Sequence, residues 1–228
     1  HDRWYLQNVN GISTEFDWME WKQQMATLKE SKVDGFSFTE TNLKWTPEQV
    51  KTARNLGNKW FKQFRMHTSS SNDPTSRKYY QPGGTCSGVT NKLTGRITNQ
   101  GSDPSGLVCR WTYFKLGGKA IGKDKNNKPI HREVYVITAY CVAQSDSSTP
   151  GHDTAFMQQK RMLHLKGDLN PKPRKQWAED LSKQIGAWKK QGAEIMLCMD
   201  ANADLLDTML QKLLTNNDLV DLVGTQLG

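Results

Sequence analysis

The sequence has no CxxC pair and no histidines at zinc-ligand spacing; its four cysteines, Cys86, Cys109, Cys141 and Cys198, stand far apart. That argues against a zinc-built core and offers no disulfide framework. Cys109 and Cys198 lie within apolar runs and Cys141 directly follows one, so small core thiols in a reducing, intracellular compartment are expected. No apolar run approaches the ~18 residues that span a bilayer, so no membrane partner is expected. The first residues, His1-Asp2-Arg3-Trp4, lack the features of a signal peptide, and the chain opens directly on a strand-like segment, as an excised or processed piece would. Internal repeats and low-complexity tracts are missing too. Acidic residues are in deficit: 23 Asp and Glu face 31 Lys and Arg, a formal charge of +8 with an isoelectric point near 9.3. This balance suits a polyanionic partner such as nucleic acid, and by itself equally suits plain solubility.

What the chain does have is enough apolar material for a core, with 36% apolar residues and eight tryptophans. Residues 1–228 fit one domain, with no linker between two cores. Residues 4–9 read as a first strand closed by Asn10-Gly11. Thr14 and Asp17 suggest a capping box for a helix striped by Trp18, Trp21, Met25 and Leu28 and ending by Ser31. Residues 35–39 alternate Phe36 and Phe38 with small polar side chains, as a strand does. Thr46-Pro47-Glu48-Gln49 combines a cap, a first-turn proline and a capping-box glutamine. The helix it announces should bury Val50, Ala53, Leu56 and Trp60 and leave Lys51, Arg54 and Lys59 largely in solvent.

Strands are expected over residues 62–67, 85–91, 93–98, 107–116 and 134–140, with polar turns at 69–73 and 99–105 and a loop at 144–153. Helices are expected over 154–165, over 173–191 on the stripe Trp177, Leu181, Ile185 and Trp188, and over 205–214. A buried strand at 194–199 lies between the last two, and Leu219, Val220, Leu222 and Val223 form a closing apolar cluster. Helices around a β-rich middle indicate the α/β class, and propensity leaves one open sheet and two packed sheets equally open.

Three polar clusters stand where apolar strands end: Asn8 with Asn10, Glu40 with Asn42, and Asp200 with Asn202. Strand ends are where polar side chains can converge while the strands hold them rigid. A carboxylate from one strand and an Asp-x-Asn from another offer hard oxygen ligands for Mg²⁺ or Mn²⁺, the ions suited to phosphoryl chemistry. Spacing alone leaves each cluster open between a ligand set and a turn or cap.

Taken in order, Gln7-Asn8-Val9-Asn10-Gly11-Ile12, Phe38-Thr39-Glu40-Thr41-Asn42, Thr138-Ala139-Tyr140 and Met199-Asp200-Ala201-Asn202 resemble the endonuclease/exonuclease/phosphatase family, which includes exonuclease III-like apurinic endonucleases and DNase I. Gly83-Gly84-Thr85-Cys86-Ser87-Gly88-Val89 looks like that family's glycine-marked lead into a central strand. The resemblance runs along the whole chain. It implies a four-layer α/β/β/α sandwich (DNase I-like), with a cleft at one end of its two sheets where phosphoester bonds are hydrolysed. By position Glu40 matches the metal-binding glutamate, Asp200 the aspartate that orients or activates the attacking water, and Asn202 the asparagine that contacts phosphate. Asn8 matches the first-strand asparagine that supports the metal and phosphate site, and Tyr140 a tyrosine near the scissile phosphate. Tyr140 reads almost equally well as an aromatic packed at a strand end with a wet hydroxyl, and Asn10 as a turn former.

The sequence departs from the family at Cys198 and Met199, where a glycine is frequent, and at Ala201, where a bulkier apolar residue is. The family's closing Arg-Ile-Asp-like strand and Ser-Asp-His have no counterpart before Gly228. His67, His131, His152 and His164 all precede the Asp200 motif and His1 is terminal, so none substitutes for the family's histidine. The resemblance thus implies the larger, N-terminal part of such a domain, C-terminally incomplete, its remainder lying beyond the chain or on a separate polypeptide. The implied activity is metal-dependent phosphodiester hydrolysis, of DNA before other substrates, in the manner of nuclease domains of repair enzymes and LINE-type retroelements, which work in the nucleus. Lys119, Lys123, Lys125, Lys128, His131 and Arg132 fall on one connection, and Lys160, Arg161, Lys166, Lys172, Arg174 and Lys175 form a second basic stretch. Either can track a phosphate backbone, a solvated lysine-rich hairpin being the ordinary explanation of the first. A phosphatase of inositol phosphates or lipid headgroups, and a non-catalytic module of the same fold, are the alternatives.

Overall fold

The structure, a computed structural model, describes residues 2–72, 79–107, 109–123, 125–144 and 153–222. Asp73, His152, Val223 and most of the loop expected at 144–153 lie outside the described residues. Strand β1 (Trp4–Asn8) leads to helix α1 (Met19–Glu30), whose Trp21, Met25 and Leu28 are fully buried at helical spacing. The start of α1 differs from the sequence reading. No side chain caps it, and Phe16, Asp17 and Trp18 take positive φ of 50°, 56° and 59° in a 3₁₀ turn ahead of it. Instead, Glu20 in the first turn accepts the Ser13 N–H at 2.6 Å.

Strand β2 (Gly35–Thr39) is buried throughout, and α2 (Pro47–Trp60) begins with both halves of the Thr46/Gln49 capping box formed. Three positions on α2 depart from expectation: Trp60 is 39% exposed, Val50 is only half-buried, and Arg54 is half-buried rather than free in solvent. Strands β3 (Phe64–Ser69) and β4 (Thr85–Thr90) follow. Residues 93–98 are not a strand. A 3₁₀ segment, Asn91–Arg96, fills that place, and β5 (Ile97–Ser102) occupies what reads as a polar turn. The physical reason is that β5 is an edge strand whose Thr98, Asn99 and Gln100 face solvent, so its composition imitates a loop.

Strand β6 (Trp111–Lys123) starts later than expected because Cys109, at φ +67°, breaks the extended run. It forms a long hairpin with β7 (Pro129–Tyr140). Then come α3 (Ala155–Leu165), α4 (Pro173–Lys190), β8 (Glu194–Asp200) and α5 (Thr208–Asn216). Thr154 and Asp207 cap α3 and α5, and the Asp207 cap is why α5 begins after residue 205. Leu219 joins the core, whereas Val220 and Leu222 are exposed. All four cysteines are buried free thiols.

The strands form two four-stranded sheets, in the orders β1-β2-β4-β3 and β5-β6-β7-β8. Helices α1 and α2 pack on the first through Trp21, Met25, Leu28, Ala53 and Leu56 against Phe36, Phe38, Phe64 and Met66. Helices α4 and α5 pack on the second through Trp177, Leu181, Ile185 and Leu210 against Trp111, Tyr135 and Ile137. The result is the expected α/β/β/α layering. Strands β1 and β8 are the edges on one side of the sandwich and touch each other.

Between the sheets, apolar packing of Val89, Leu93, Phe114, Leu116 and Val136 gives way to a buried chain of hydroxyls. Ser87 donates to Thr138 at 2.8 Å and Thr138 donates to Ser37 at 2.6 Å. Since Ser87 has spent its one proton, Thr112 is the donor in their 2.6 Å contact. Trp4 Nε1 also donates to Ser37, at 2.9 Å, and Ser37 in turn bonds the Cys198 thiol. Six strands, three from each sheet, are tied into one network. Thr138→Val keeps the shape but removes the central link, and is expected to cost about 1–3 kcal/mol of stability in urea unfolding, with Thr138→Ser losing much less. An unchanged midpoint for the valine variant would show that the network contributes nothing net.

Candidate active site

Two parallel strand pairs make the site. Because β1 runs parallel to β2 with Asn8 beside Thr39, and β7 parallel to β8 with Tyr140 beside Asp200, each pair delivers its C-terminal residues to the same end of its sheet. The chain then turns sharply: Asn10, Glu40, Asn42 and Asn202 all adopt positive φ, at 47°, 51°, 49° and 43°. Asparagine tolerates that region; a glutamate there is held by its surroundings. Gly11 N–H and Ile12 N–H donate to Glu40 O and Thr41 O, both at 2.8 Å, so the turns after β1 and β2 brace each other.

The two sheets are joined at this end by Asn8 Nδ2, which donates to Asp200 Oδ2 at 2.8 Å. Asn8 Oδ1 accepts the Asn10 N–H at 2.9 Å, which fixes which way the amide faces. The Asn202 N–H donates to the other Asp200 oxygen at 3.1 Å, and Asn202 Nδ2 donates to Cys141 O at 2.9 Å. Asn202 thus shapes the loop as well as standing at the cleft. Tyr140, only 5% exposed, hydrogen-bonds Glu40. Burial, followed by the negative charges of Glu40 and Asp200, pushes its phenol far up, so it is a permanent donor. Asp200 is also shifted up from 3.8, first by burial and then by Glu40, against the lowering effect of the Asn202 and Asn8 hydrogen bonds.

Beneath them, the Gly83 N–H donates to Asn42 Oδ1 at 2.7 Å, and a Cβ on Gly83, whose φ is +77°, would sit 3.0 Å from the Tyr140 ring. The glycine lead into β4 is therefore what lets the tyrosine lie where it does. Sequence reasoning missed two braces. Arg174, expected on nucleic acid, donates to Val142 O at 2.8 Å and Ala201 O at 3.4 Å, holding the loops after β7 and β8. Arg110, fully buried, pairs with Asp103 and with Asp180 of α4, lies 4.6 Å from the Trp111 ring centre, and offers its carbonyl to the Tyr140 N–H at 2.7 Å. An arginine within an apolar run was the only signal for it.

Lys172 and Lys175 are exposed at the N-terminal end of α4, beside the loops that Arg174 braces. Lys123 and Lys125 are not brought to the site: they lie at the far tip of the β6–β7 hairpin, ~36 Å along β7 from Tyr140. Arg132 lies on the same arm and pairs with Glu194 at the start of β8. His67 on β3, His131 on β7 and His164 on α3 have no hydrogen bond to Glu40 or Asp200 among the described residues. Nor do three or more His, Cys, Asp or Glu side chains gather anywhere among them. The oxygen donors that do gather are Glu40, Asp200 and the Asn8 amide.

The chain is similar to the catalytic domain of APE2 from Xenopus laevis, at 14% identity and a TM-score of 0.55, covering 93% of this chain and 65% of that one. It shares the DNase I-like fold of that domain. Weaker likenesses to this DNase I-like chain are an endonuclease/exonuclease/phosphatase from Bacteroides vulgatus, at 12% identity and TM-score 0.49 over 96% of this chain and 72% of that one, and a humanized D. rerio TDP2, at 13% and 0.48 over 98% and 70%. No family profile and no curated protein matches the sequence. The DNase I-like chain therefore spans 65% of the APE2 catalytic domain.

The facing carboxylates make a pH prediction. Asp200 has a folded-state pKa above its ordinary 3.8, so its protonated form favours folding; that contribution is complete below about pH 3.8 and is lost as pH rises through the raised value. Glu40→Gln removes the facing charge and keeps an acceptor for Tyr140. It is expected to raise Tm near pH 7 by about 2–4 °C, equivalent to about 1 kcal/mol, and to leave Tm unchanged near pH 3. A difference that does not vary with pH would mean the two carboxylates do not repel.

Proposed function

We propose that the chain forms the larger part of a metal-dependent phosphodiesterase domain that hydrolyses the DNA backbone. The observation carrying this is the meeting of Glu40 and Asp200, from different sheets, in one strand-end cluster with Asn8 and Tyr140. Two mutually repelling carboxylates with an amide and no soft ligand fit a hard divalent cation that retains several waters. Glu40, with Asp200 and Asn8 beside it, would hold Mg²⁺ or Mn²⁺. When bound, the ion supplies charge compensation for phosphoryl oxygens.

The protein's own groups do the rest. Asp200, its two oxygens oriented by Asn8 and Asn202, takes a proton from the attacking water at a carboxylate oxygen, and its raised pKa makes it a stronger base than an ordinary aspartate. The Tyr140 phenol, always protonated, gives its one proton to Glu40 and so holds that carboxylate in place at the strand-end cluster. Lys172 and Lys175, at the same end of the sandwich, draw in the backbone. By the resemblance, stabilisation of the pentavalent phosphorus and activation of the water are shared with a histidine and aspartates of the closing motifs, which have no counterpart before Gly228, and the leaving oxygen takes its proton from solvent. On this reading the protein works in the nucleus, as a repair or retroelement nuclease would.

Nicking of supercoiled DNA with Mg²⁺ or Mn²⁺ tests the chemistry. Residues 1–228 are expected to nick weakly or not at all, and a chain extended through the closing motifs to nick well, losing about 10²–10⁴-fold with Glu40→Gln or Asp200→Asn. An inert extended chain would favour the non-catalytic module, and one that releases phosphate from inositol phosphates while sparing DNA would favour the phosphatase. DNA binding gives a second check. Lys172→Gln with Lys175→Gln should flatten the plot of log affinity against log salt, by up to ~0.9 per lost phosphate contact, whereas Lys123→Gln with Lys125→Gln should leave it unchanged. The reverse pattern would put the backbone on the hairpin.

A further inference from the structure

A second polar cavity, of about 410 Å³, opens beside edge strand β3. Arg54, Lys62 and Arg65 line it with Asn58, Gln63 and Thr94, and no Asp or Glu is among its lining residues. None of these three cations has an ion pair among the described residues. Arg54 Nε is buried without a hydrogen-bond partner, an arrangement that costs free energy until an acceptor arrives. The negative end of the α2 dipole explains one cation in its last turn, and Lys59 fills that place; Lys62 and Arg65 lie beyond it. His67 is held below its usual pKa by burial and then by the charge of Arg54.

The cavity is distant from the candidate active site. Phe64, on its wall, pairs with Thr90, whereas the site flanks the other end of the same strands, where Ser69 pairs with Thr85. Five residue steps, ~17 Å, separate the two ends. From the open guanidinium of Arg54 and the two further cations, Lys62 and Arg65, around a cavity with no carboxylate in its lining, we infer that this cavity is an oxyanion site for a phosphoryl group carrying two or more negative charges. The phosphoryl comes from a free phosphorylated molecule or from a nucleic-acid backbone. It is a site separate from the strand-end cluster.

Calorimetry with inorganic pyrophosphate in metal-free, low-salt buffer tests it. One saturable site is expected, weakened about tenfold or more by Arg54→Met with Arg65→Met, about threefold by the exposed Lys62→Gln, and not at all by Glu40→Gln. If the double variant does not fold, Lys62→Gln decides. Absence of saturable binding, full affinity in a folded double variant or in Lys62→Gln, or loss of binding with Glu40→Gln would each overturn the inference. A short DNA duplex that displaces pyrophosphate from this site would identify the backbone as the phosphoryl source; one that does not would identify a free ligand.

Discussion

The relative position of the two sheets rests on the buried run of hydroxyls from Thr112 through Ser87 and Thr138 to Ser37. Apolar contacts between sheets are non-directional and would tolerate a small slide; short hydrogen bonds between small side chains would not. A slide of one residue along β7 would separate Tyr140 and Asp200 from Glu40 and Asn8, since these pairs come from opposite sheets. The network thus does for the sandwich what a turn does for a hairpin: it sets register, and the strand-end cluster inherits its geometry from that register.

Much of this was legible in the chain. The capping box at Thr46, the helical stripe of α1 and the alternation in β2 are local signals, and local rules decided them. The polar clusters could be read because hydrophobic strands ended at them. What was not legible depended on partners distant in sequence. β5 looks like a turn because one edge of it meets water; the start of β6 depends on a left-handed Cys109 that no propensity scale anticipates. Arg174 reads as one of a basic stretch and Arg110 is not singled out, because their acceptors at Val142, Ala201 and Asp180 lie on other elements. The basic hairpin is a further case: its charge is visible in sequence, but the length of the arm that carries Lys123 and Lys125 away from Tyr140 is not.

The strand-end cluster is arranged at the expense of local stability. A glutamate in left-handed backbone, two carboxylates from opposite sheets and a phenol buried against both each disfavour the folded state alone. They persist because the braces around them over-determine the geometry. Arg110 connects the start of β6 to α4 and Arg174 connects α4 to both loops, so α4 serves as the frame on which the second sheet's half of the cluster is hung.

The four buried thiols carry a consequence of another kind. Burial pushes Cys141 up to about 12 and Cys198 up to about 11, and raises Cys86 further still. So little thiolate exists at neutral pH that alkylating reagents and oxidants find almost nothing to attack in the folded chain. Modification therefore waits for opening. Cys86 sits in the first sheet, and Cys141 and Cys198 belong to the second, Cys198 on its outermost strand. The protein carries built-in clocks for the loosening of each half of its sandwich, with the order in which the sulfurs react recording the order in which its layers come apart.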